Sequence, residues 1–260
     1  VAAADVSSST LPAVSITGGP APKGQNSNAH DFSTGTVTGT TVDIGLGCDP
    51  ADYQGHAGQI IITHRGVCTR VERATDGQAA GAAAVILVNT DPGYPPVEGA
   101  IPGVTIPFVG VPEGYSVPDG TTLTLGASAP IANPAYTNFA SFSSAGPRSD
   151  SAPKPDITAP GVSLISAGVG TGTGSLVLSG TSMATPHTAG IAALVRQAHP
   201  TWGPVAVKGA LMSNADPSKV GDFSPLRGGA GMVNAPNAAD SVAFFSTPDG
   251  RDNLAYGFQE

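Results

Sequence analysis

One stretch constrains the fold of this chain more than any other: residues 178–195, which read LSGTSMATPHTAGIAALV. After a Gly-Thr-Ser turn the residues are almost wholly apolar, and a helix that is apolar on every side is typical of the buried centre of a domain. Gly180 permits a tight entry, and Pro186 is expected within the first turn, where a missing N–H has no partner to lose. Pro200 ends the segment, so the stretch predicts a central helix with Ser182 at its N-terminus.

Ser182 would lie where a helix concentrates unpaired backbone N–H groups and the positive end of its dipole. Such a position favours negative charge that develops on a bound group, as on a tetrahedral oxyanion. The commoner role for such residues is helix capping, here by Thr181 or Ser182. On position alone, the nucleophile and the cap both stay open as interpretations.

The rest of the chain alternates short β-branched runs with turns. Residues 36–129 form a coherent module in which GQIIITHRG, AAAVILVN and TTLTLGAS are typical of strands, and CTRVERATDGQAAG is typical of a helix that stops at Gly81. Residues 21–34 are rich in Gly, Asn, Ser and Pro and are predicted to be a linker. Strands with an intervening helix predict a β-rich α/β module.

Composition excludes several partners. The net charge of -8 over 260 residues argues against a duplex nucleic acid, because its phosphates demand a basic protein face. No Lys/Arg run offers a contact with an anionic membrane, and the longest apolar run, 79–88, is too short to span a bilayer. Cys48 and Cys68 form no CxxC pair, which excludes a zinc ribbon or a thioredoxin-like site. A disulfide and two free thiols both stay open.

The segment GTSMATPHTAG resembles the serine motif of the subtilisin-like serine proteases, or subtilases. FSSAGPRSDSAPKPDITAPG before it and HPTWGPVAVKGALMSNA after it resemble the flanking segments of that family. The resemblance implies that Ser182 is the nucleophile and that its own backbone N–H is one oxyanion donor. It also implies an α/β fold, with residues 131–245 as the C-terminal part of a three-layer, mostly parallel sheet domain.

A second resemblance covers the module. GQIIITHRGVCTRVERATDGQAAGAAAVILVN is similar to the protease-associated (PA) domain that many secreted subtilases carry as an insertion. VAAADVSSSTLPAV resembles the segment just after the oxyanion asparagine of the family. The expected organisation is therefore a catalytic-domain piece at 1–20, a PA-like domain at 21–130, catalytic-domain sequence at 131–245 and the start of a further domain at 246–260. The resemblance favours a Cys48–Cys68 disulfide.

The sequence shows no residue that could act as the general base for Ser182. The family supplies an Asp, a His and an oxyanion Asn from three motifs that this sequence lacks, so all three are expected upstream of Val1. His187 is five residues past Ser182, about 140° around a helix and about 7.5 Å along it, so it is expected to face away. His30, His56, His64 and His199 are expected to be surface or packing residues. The 260-residue chain alone is therefore expected to be inactive.

The resemblance implies a secreted endopeptidase that acts on proteins or peptides, with the missing N-terminal half of the catalytic domain as its partner. It implies no catalytic cofactor; calcium is common in the family, but no residue here is assigned to it. The PA-like module would shape substrate access or mediate self-association. The alternative is a non-catalytic interaction module, which the absent base favours.

Overall fold

The structure is a computed structural model that describes residues 1–149 and 151–247. The chain divides into two compact units. The first, here called the serine unit, contains residues 1–7, 135–165 and those from 178 onward; the second, the barrel unit, contains residues 8–134 and 166–177. The further domain predicted at 246–260 lies outside the described residues except for 246–247.

The described strands are, in chain order, β1 (Ala2–Ala4), β2 (Thr10–Leu11), β3 (Ala13–Thr17), β4 (Lys23–Asn26), β5 (Val37–Asp43), β6 (Ile60–His64), β7 (Ala84–Val88), β8 (Phe108–Val111), β9 (Thr122–Ala127), β10 (Ile131–Ala132), β11 (Thr158–Pro160), β12 (Leu164–Ala167) and β13 (Ser175–Leu178). The α-helices are α1 (Arg70–Ala79), α2 (Thr181–Ala198), α3 (Pro204–Ser213), α4 (Pro225–Gly228) and α5 (Ala235–Ala239).

The barrel unit is a closed barrel in the order β3-β4-β8-β7-β6-β5-β9. Strands β5 to β8 pair in parallel as β5-β6-β7-β8, and the remaining pairs are antiparallel. Alternate residues of each strand point inward, and Ile60, Ile62, Ile86, Val109 and Leu123 fill the interior. The β-rich α/β character predicted from the sequence is confirmed.

Helix α1 packs against the outside of β7. Thr69 caps it, because its hydroxyl accepts from the Glu72 N–H at 3.2 Å while the Glu72 carboxylate accepts from the Thr69 N–H at 3.0 Å. Gly77 lets the helix approach the strand, since a Cβ there would overlap the Val85 side chain. The predicted helix and its stop at Gly81, which has φ 76°, are confirmed.

A disulfide joins Cys48 to Cys68, whose Cα atoms are 5.6 Å apart. Beside it lies Arg73, which is fully buried. Burial lowers the pKa of Arg73. Its guanidinium donates to four backbone carbonyls at 2.9–3.0 Å, those of Leu46, His64, Cys68 and Thr69. The disulfide and this one side chain thus tie together the loops on both sides of β6.

The predicted domain boundaries differ from the structure. Residues 8–20 were expected with the catalytic domain, but β3 pairs with β4 and β9 and so belongs to the barrel. Residues 21–34 are not a linker: they contain β4, and Gln25, Asn26, Ser27 and Asn28 are buried. At the other end β10 pairs with β2, which extends this unit to Pro134. The polar composition misled the prediction because the backbone of β4 pairs with β8, which is distant in sequence.

The serine unit is built on the parallel pair β1–β11, in register Ala2↔Thr158 and Ala3↔Ala159. A single parallel bridge from Thr158 to Met232 continues the sheet. Helix α2 packs on both strands and on α3 and α5. The core between these helices contains Ile157, Ile191, Val195, Val207, Ala210 and Leu211. The unit is therefore α/β, with helices on a parallel sheet.

Helix α2 corrects two expectations. It is not buried on all sides: Ala184, Ile191 and Val195 are buried along one face, whereas Leu194 is 50% exposed. The reason is that β1, β11, α3 and α5 cover only that face among the described residues. Pro186 is not in the first turn either. It is the sixth residue of the helix, so the carbonyl of Ser182 loses its usual donor four residues on.

Candidate active site

Ser182 is the second residue of α2 and its side chain is exposed. The N-cap position belongs to Gly180, and no side chain caps the helix. Capping by Thr181 or Ser182, the alternative from sequence, is therefore wrong. No hydrogen-bond partner for the Ser182 hydroxyl is found in residues 1–149 and 151–247, which leaves this hydroxyl free for a bound group.

The turn that leads into α2 is tightly held. The Gly180 N–H donates to the Gly161 carbonyl at 2.8 Å, and the Ser163 N–H donates to the Ser179 hydroxyl at 2.8 Å. A Cβ on Gly161 would lie 2.5 Å from the Ala3 Cβ, so this contact between the turn and β1 requires glycine. The start of α2 is thereby fixed to both strands of the parallel pair.

Two backbone donors remain open at this helix start. The Met183 and Ala184 N–H groups both donate to the Gly180 carbonyl, at 3.0 and 3.3 Å. The N–H groups of Thr181 and Ser182 have no acceptor among the residues the structure describes. Together with the helix dipole they would stabilise an oxyanion formed next to the Ser182 hydroxyl. The arrangement thus places an exposed serine hydroxyl beside two open backbone donors.

A cavity of about 370 Å³ lies beside the helix start, with Thr181 in its wall. Most of the wall is the loop 142–148, together with Val1, Lys154 and Pro155. Gly146 shapes this loop, because a Cβ there would overlap the Lys154 carbonyl oxygen. The cavity therefore gives a ligand room next to the first turn of α2.

The described histidines have other surroundings. His187 is exposed and lines a different cavity with Tyr136 and Lys219. His199 stacks on Trp202 at 3.9 Å, and its Nε2 lies 2.9 Å from the Ala239 carbonyl. The structure therefore offers no base for Ser182 from these two residues of its own unit.

The three barrel histidines are each engaged within the barrel unit. The His30 ring lies edge-on to Phe32 at 4.6 Å. His56 Nδ1 is 2.8 Å from Gln59 Oε1, and His64 Nε2 is 2.8 Å from Asp43 Oδ2. These contacts agree with the packing and surface roles expected from the sequence.

Asp156, which precedes β11, is an ion-pair residue. Lys154 Nζ lies 2.6 Å and Lys208 Nζ 3.3 Å from its Oδ2. Burial raises the pKa of Asp156. The hydrogen bond from Lys154 and the charge of Lys208 lower this pKa by more than burial raises it, so the net shift is downward. Asp156 therefore forms a structural ion pair with two lysines of the serine unit.

The described residues contain no cluster of three or more His, Cys, Asp or Glu side chains that could hold a metal ion. None of their helices is both long enough and apolar enough to cross a bilayer. An exposed serine at the start of a helix, next to free backbone donors on an α/β unit, is an arrangement that serine hydrolases use.

Comparison with known sequences identifies the family to which this chain belongs. The profile of the Subtilase family, Peptidase S8, matches residues 65–245. This chain therefore belongs to the subtilase family.

Three relatives illustrate the match. Subtilisin-like protease SBT1.3 of Arabidopsis thaliana is 32% identical over 216 residues, which cover 71% of this chain and 28% of that protein. Minor extracellular protease Vpr of Bacillus subtilis (strain 168) is 33% identical over 228 residues, 77% of this chain and 27% of that protein. Subtilisin-like protease SBT3.11 of Arabidopsis thaliana is 43% identical over 122 residues, 40% and 16% of the two chains. The matched part of this chain spans about a quarter of the length of SBT1.3 and of Vpr.

Among solved structures, a psychrophilic subtilisin-like protease from Pseudoalteromonas sp. AS-11 covers 90% of this chain and 49% of that chain at 19% identity. The TM-score is 0.31, too low to bear on the fold.

Sequence reasoning missed one group of polar residues, in the barrel unit. Arg65, Asn89 and Glu113 line a single cavity there. A signal was present, since Arg65 and Asn89 each directly follow a buried strand. Only the parallel pairing of those strands, which the sequence does not state, brings them together.

Proposed function

We propose that the chain is part of a serine endopeptidase in which Ser182 is the nucleophile. The observation that carries the proposal is the exposed Ser182 hydroxyl at the start of α2, which has no partner in the part of the chain that the structure describes and lies beside the open N–H groups of Thr181 and Ser182. Membership of the subtilase family supports the same chemistry. The Asp, the His and the oxyanion Asn would come from parts of the protein outside these 260 residues.

In this mechanism Ser182 Oγ attacks the carbonyl carbon of the scissile peptide bond while the histidine takes its proton. The carbonyl oxygen becomes an oxyanion that accepts a hydrogen bond from the Ser182 N–H. The C–N bond then breaks, the histidine returns the proton to the leaving amine, and an acyl-enzyme remains. Water, deprotonated by the same histidine, attacks the acyl carbon and releases the second product and the serine.

The test compares the 260-residue chain with the full-length protein, each with Ser182 and with Ser182→Ala. A fluorophosphonate probe, which labels activated serines, should label only the full-length protein with Ser182. In subtilisin the loss of the serine or histidine lowers kcat about 10⁶-fold, so peptidase activity of the short chain should lie below detection.

Two outcomes would contradict the proposal. One is labelling or turnover by the short chain that disappears in Ser182→Ala, which would mean that a base lies within these residues. The other is a full-length protein that is neither labelled nor active although it folds. The matched control is Ser179→Ala, which removes a hydroxyl three residues before Ser182 that bonds to the Ser163 N–H instead.

We further propose that the barrel unit is a PA domain inserted in the catalytic domain and that the protein acts outside the cell on proteins or peptides. The Cys48–Cys68 disulfide supports an oxidising compartment. Fractionation of a culture of the source cells, followed by detection of the protein in the medium, tests the location.

The second candidate is a non-catalytic interaction module, favoured by the surroundings of the histidines described above. It predicts a full-length protein without the Asp, His and Asn motifs, so the coding sequence upstream of Val1 separates the two proposals.

A further inference from the structure

A cavity of about 360 Å³ opens in the barrel unit where β6, β7 and β8 end. These three strands are parallel, so their carboxyl ends lie at one edge of the sheet. The mouths of β-barrels are among the places where ligand sites most often lie. The wall consists of the residues that directly follow or end the strands: His64, Arg65, Val88, Asn89, Thr90 and residues 113–116.

Arg65 gives the cavity its chemistry. Its side chain is only 17% exposed, yet Nη1 to Asn89 Oδ1, at 2.8 Å, is its one hydrogen bond among the described residues. The Asp91 carboxylate is 3.8 Å away. A guanidinium has five N–H hydrogens. No Arg65 nitrogen is among the buried atoms without a partner, so the donors that Asn89 does not engage are open to the cavity, where oxygen atoms of a ligand can accept from them.

The surroundings hold Arg65 in place before any ligand arrives. The Asn89 amide donates to Asp91 Oδ1 and to the Gly93 carbonyl, both at 2.9 Å, which fixes the oxygen that Arg65 contacts. On the other side the buried Arg73 donates to the His64 carbonyl at 2.9 Å and so fixes the end of β6. A binding site whose supporting contacts are already formed loses less entropy when it binds.

The charges of the cavity select the ligand class. Asp91 faces Arg65, and the wall also contains Glu113, whose carboxylate has no partner among the described residues. A phosphate or other anion would meet these carboxylates, so the site favours neutral carbonyl oxygens as acceptors. Glu113 can in turn accept from N–H groups, while Val88 and the Tyr115 ring supply apolar surface. Donors and acceptors around an apolar floor match the backbone of a peptide.

We propose that this cavity binds a short extended segment of polypeptide, with Arg65 donating to its main-chain carbonyl oxygens and Glu113 accepting from its main-chain N–H. The volume lies near the lower end of the range for ligand pockets, about 300–1,000 Å³, which suits a few residues. The proposal concerns binding alone and does not depend on Ser182 being a nucleophile.

The experiment selects a phage-displayed library of random heptapeptides on the immobilised 260-residue chain. Enriched peptides are synthesised with a fluorophore, and their Kd is measured by anisotropy. Arg65→Gln should weaken binding about tenfold or more, because hydrogen bonds from a charged donor are lost. Lys23→Gln is the matched control. Lys23 is a basic residue of the same unit, and among the described residues its side chain makes one hydrogen bond, of 3.5 Å to the Ala129 carbonyl. The Kd of this variant should change less than about twofold.

A second variant protects the test against misfolding. Ser116 is exposed in the cavity wall, so Ser116→Phe should obstruct the cavity while leaving Arg65 and the barrel core in place. It should lose binding as Arg65→Gln does, with an unchanged thermal transition.

Three results would overturn the proposal: no peptide enriched over a bare surface, equal Kd for the parent chain and both cavity variants, or displacement of the peptides by millimolar inorganic phosphate, which would make this an anion site. Serine labelling is a separate readout. Arg65→Gln in the full-length protein should leave fluorophosphonate labelling of Ser182 unchanged, so failure of one proposal does not imply failure of the other.

Discussion

At the scale of single residues, Asp156 offers a test of electrostatics in the serine unit. Burial raises the pKa of Asp156, but Lys154 and Lys208 outweigh it and hold this pKa below the ordinary value for Asp, so the folded state binds the proton less readily than the unfolded state does. The carboxylate therefore stabilises the fold at pH above about 4, and this contribution is lost as the pH falls through the folded pKa. Asp156→Asn should lower the free energy of unfolding by about 1 kcal/mol at pH 7.

The measurement is urea unfolding of both proteins at pH 7 and at pH 3, followed by circular dichroism. The difference between the parent and Asp156→Asn should shrink at pH 3, because the parent then protonates the same carboxyl. Asp240→Asn, at an exposed position, is the control and should change little at either pH. A difference that grows towards low pH would contradict the assignment of Asp156 as an ion-pair residue.

At the scale of elements, the sequence predicted those strands and helices whose burial is local. The barrel strands β6 and β7 are continuous apolar runs, and α1 has its capping box and stop residue in the sequence itself. The segment 21–34 was misread because its strand β4 pairs with the distant strand β8 and because one of its buried polar side chains bonds to distant backbone. Asn28 accepts from the Phe108 N–H at 3.0 Å and donates to the Ile106 carbonyl at 2.9 Å. Such pairing across about 80 residues leaves no periodic pattern to read.

Helix α2 shows the converse case. The sequence correctly predicted an apolar helix, but the prediction that this helix is buried on every side was wrong. Leu194 and Val195 are neighbours in an apolar sequence, yet Leu194 is 50% exposed and Val195 is 0% exposed. Val195→Ala should therefore cost about 2 kcal/mol of unfolding free energy in the 260-residue chain, through lost burial and a cavity, whereas Leu194→Ala should cost less than about 0.5 kcal/mol.

Chemical denaturation of the two variants decides between one-sided and all-round burial of α2. Equal losses of about 2 kcal/mol or more would mean that both faces are covered in solution. Leu194→Ala removes more apolar surface than Val195→Ala, so residue size alone would give the opposite order and cannot produce the expected result.

At the scale of the whole molecule, the family and the position of Ser182 could be predicted, because the serine motif is contiguous. The barrel cavity could not, because Arg65, Asn89 and Glu113 come from three separate strand ends. The extent of the barrel unit was also hidden: β3 and β9 are more than 100 residues apart in the chain but pair in register from Val14↔Ala127 to Thr17↔Thr124. A contiguous motif can be recognised from the sequence, whereas a site whose residues are brought together by strand pairing can be recognised only once the fold is known.

The two units have separate cores, and this predicts two thermal transitions in calorimetry. The Cys48–Cys68 disulfide closes a loop with a sequence separation of 20 in the barrel unit. Replacing both cysteines by alanine should lower the barrel transition alone, with a loss of about 3 kcal/mol from the freer unfolded chain. Asp156→Asn should lower the other transition alone. Because each variant is the control for the other, a single transition that both variants shift would show that the two units unfold together.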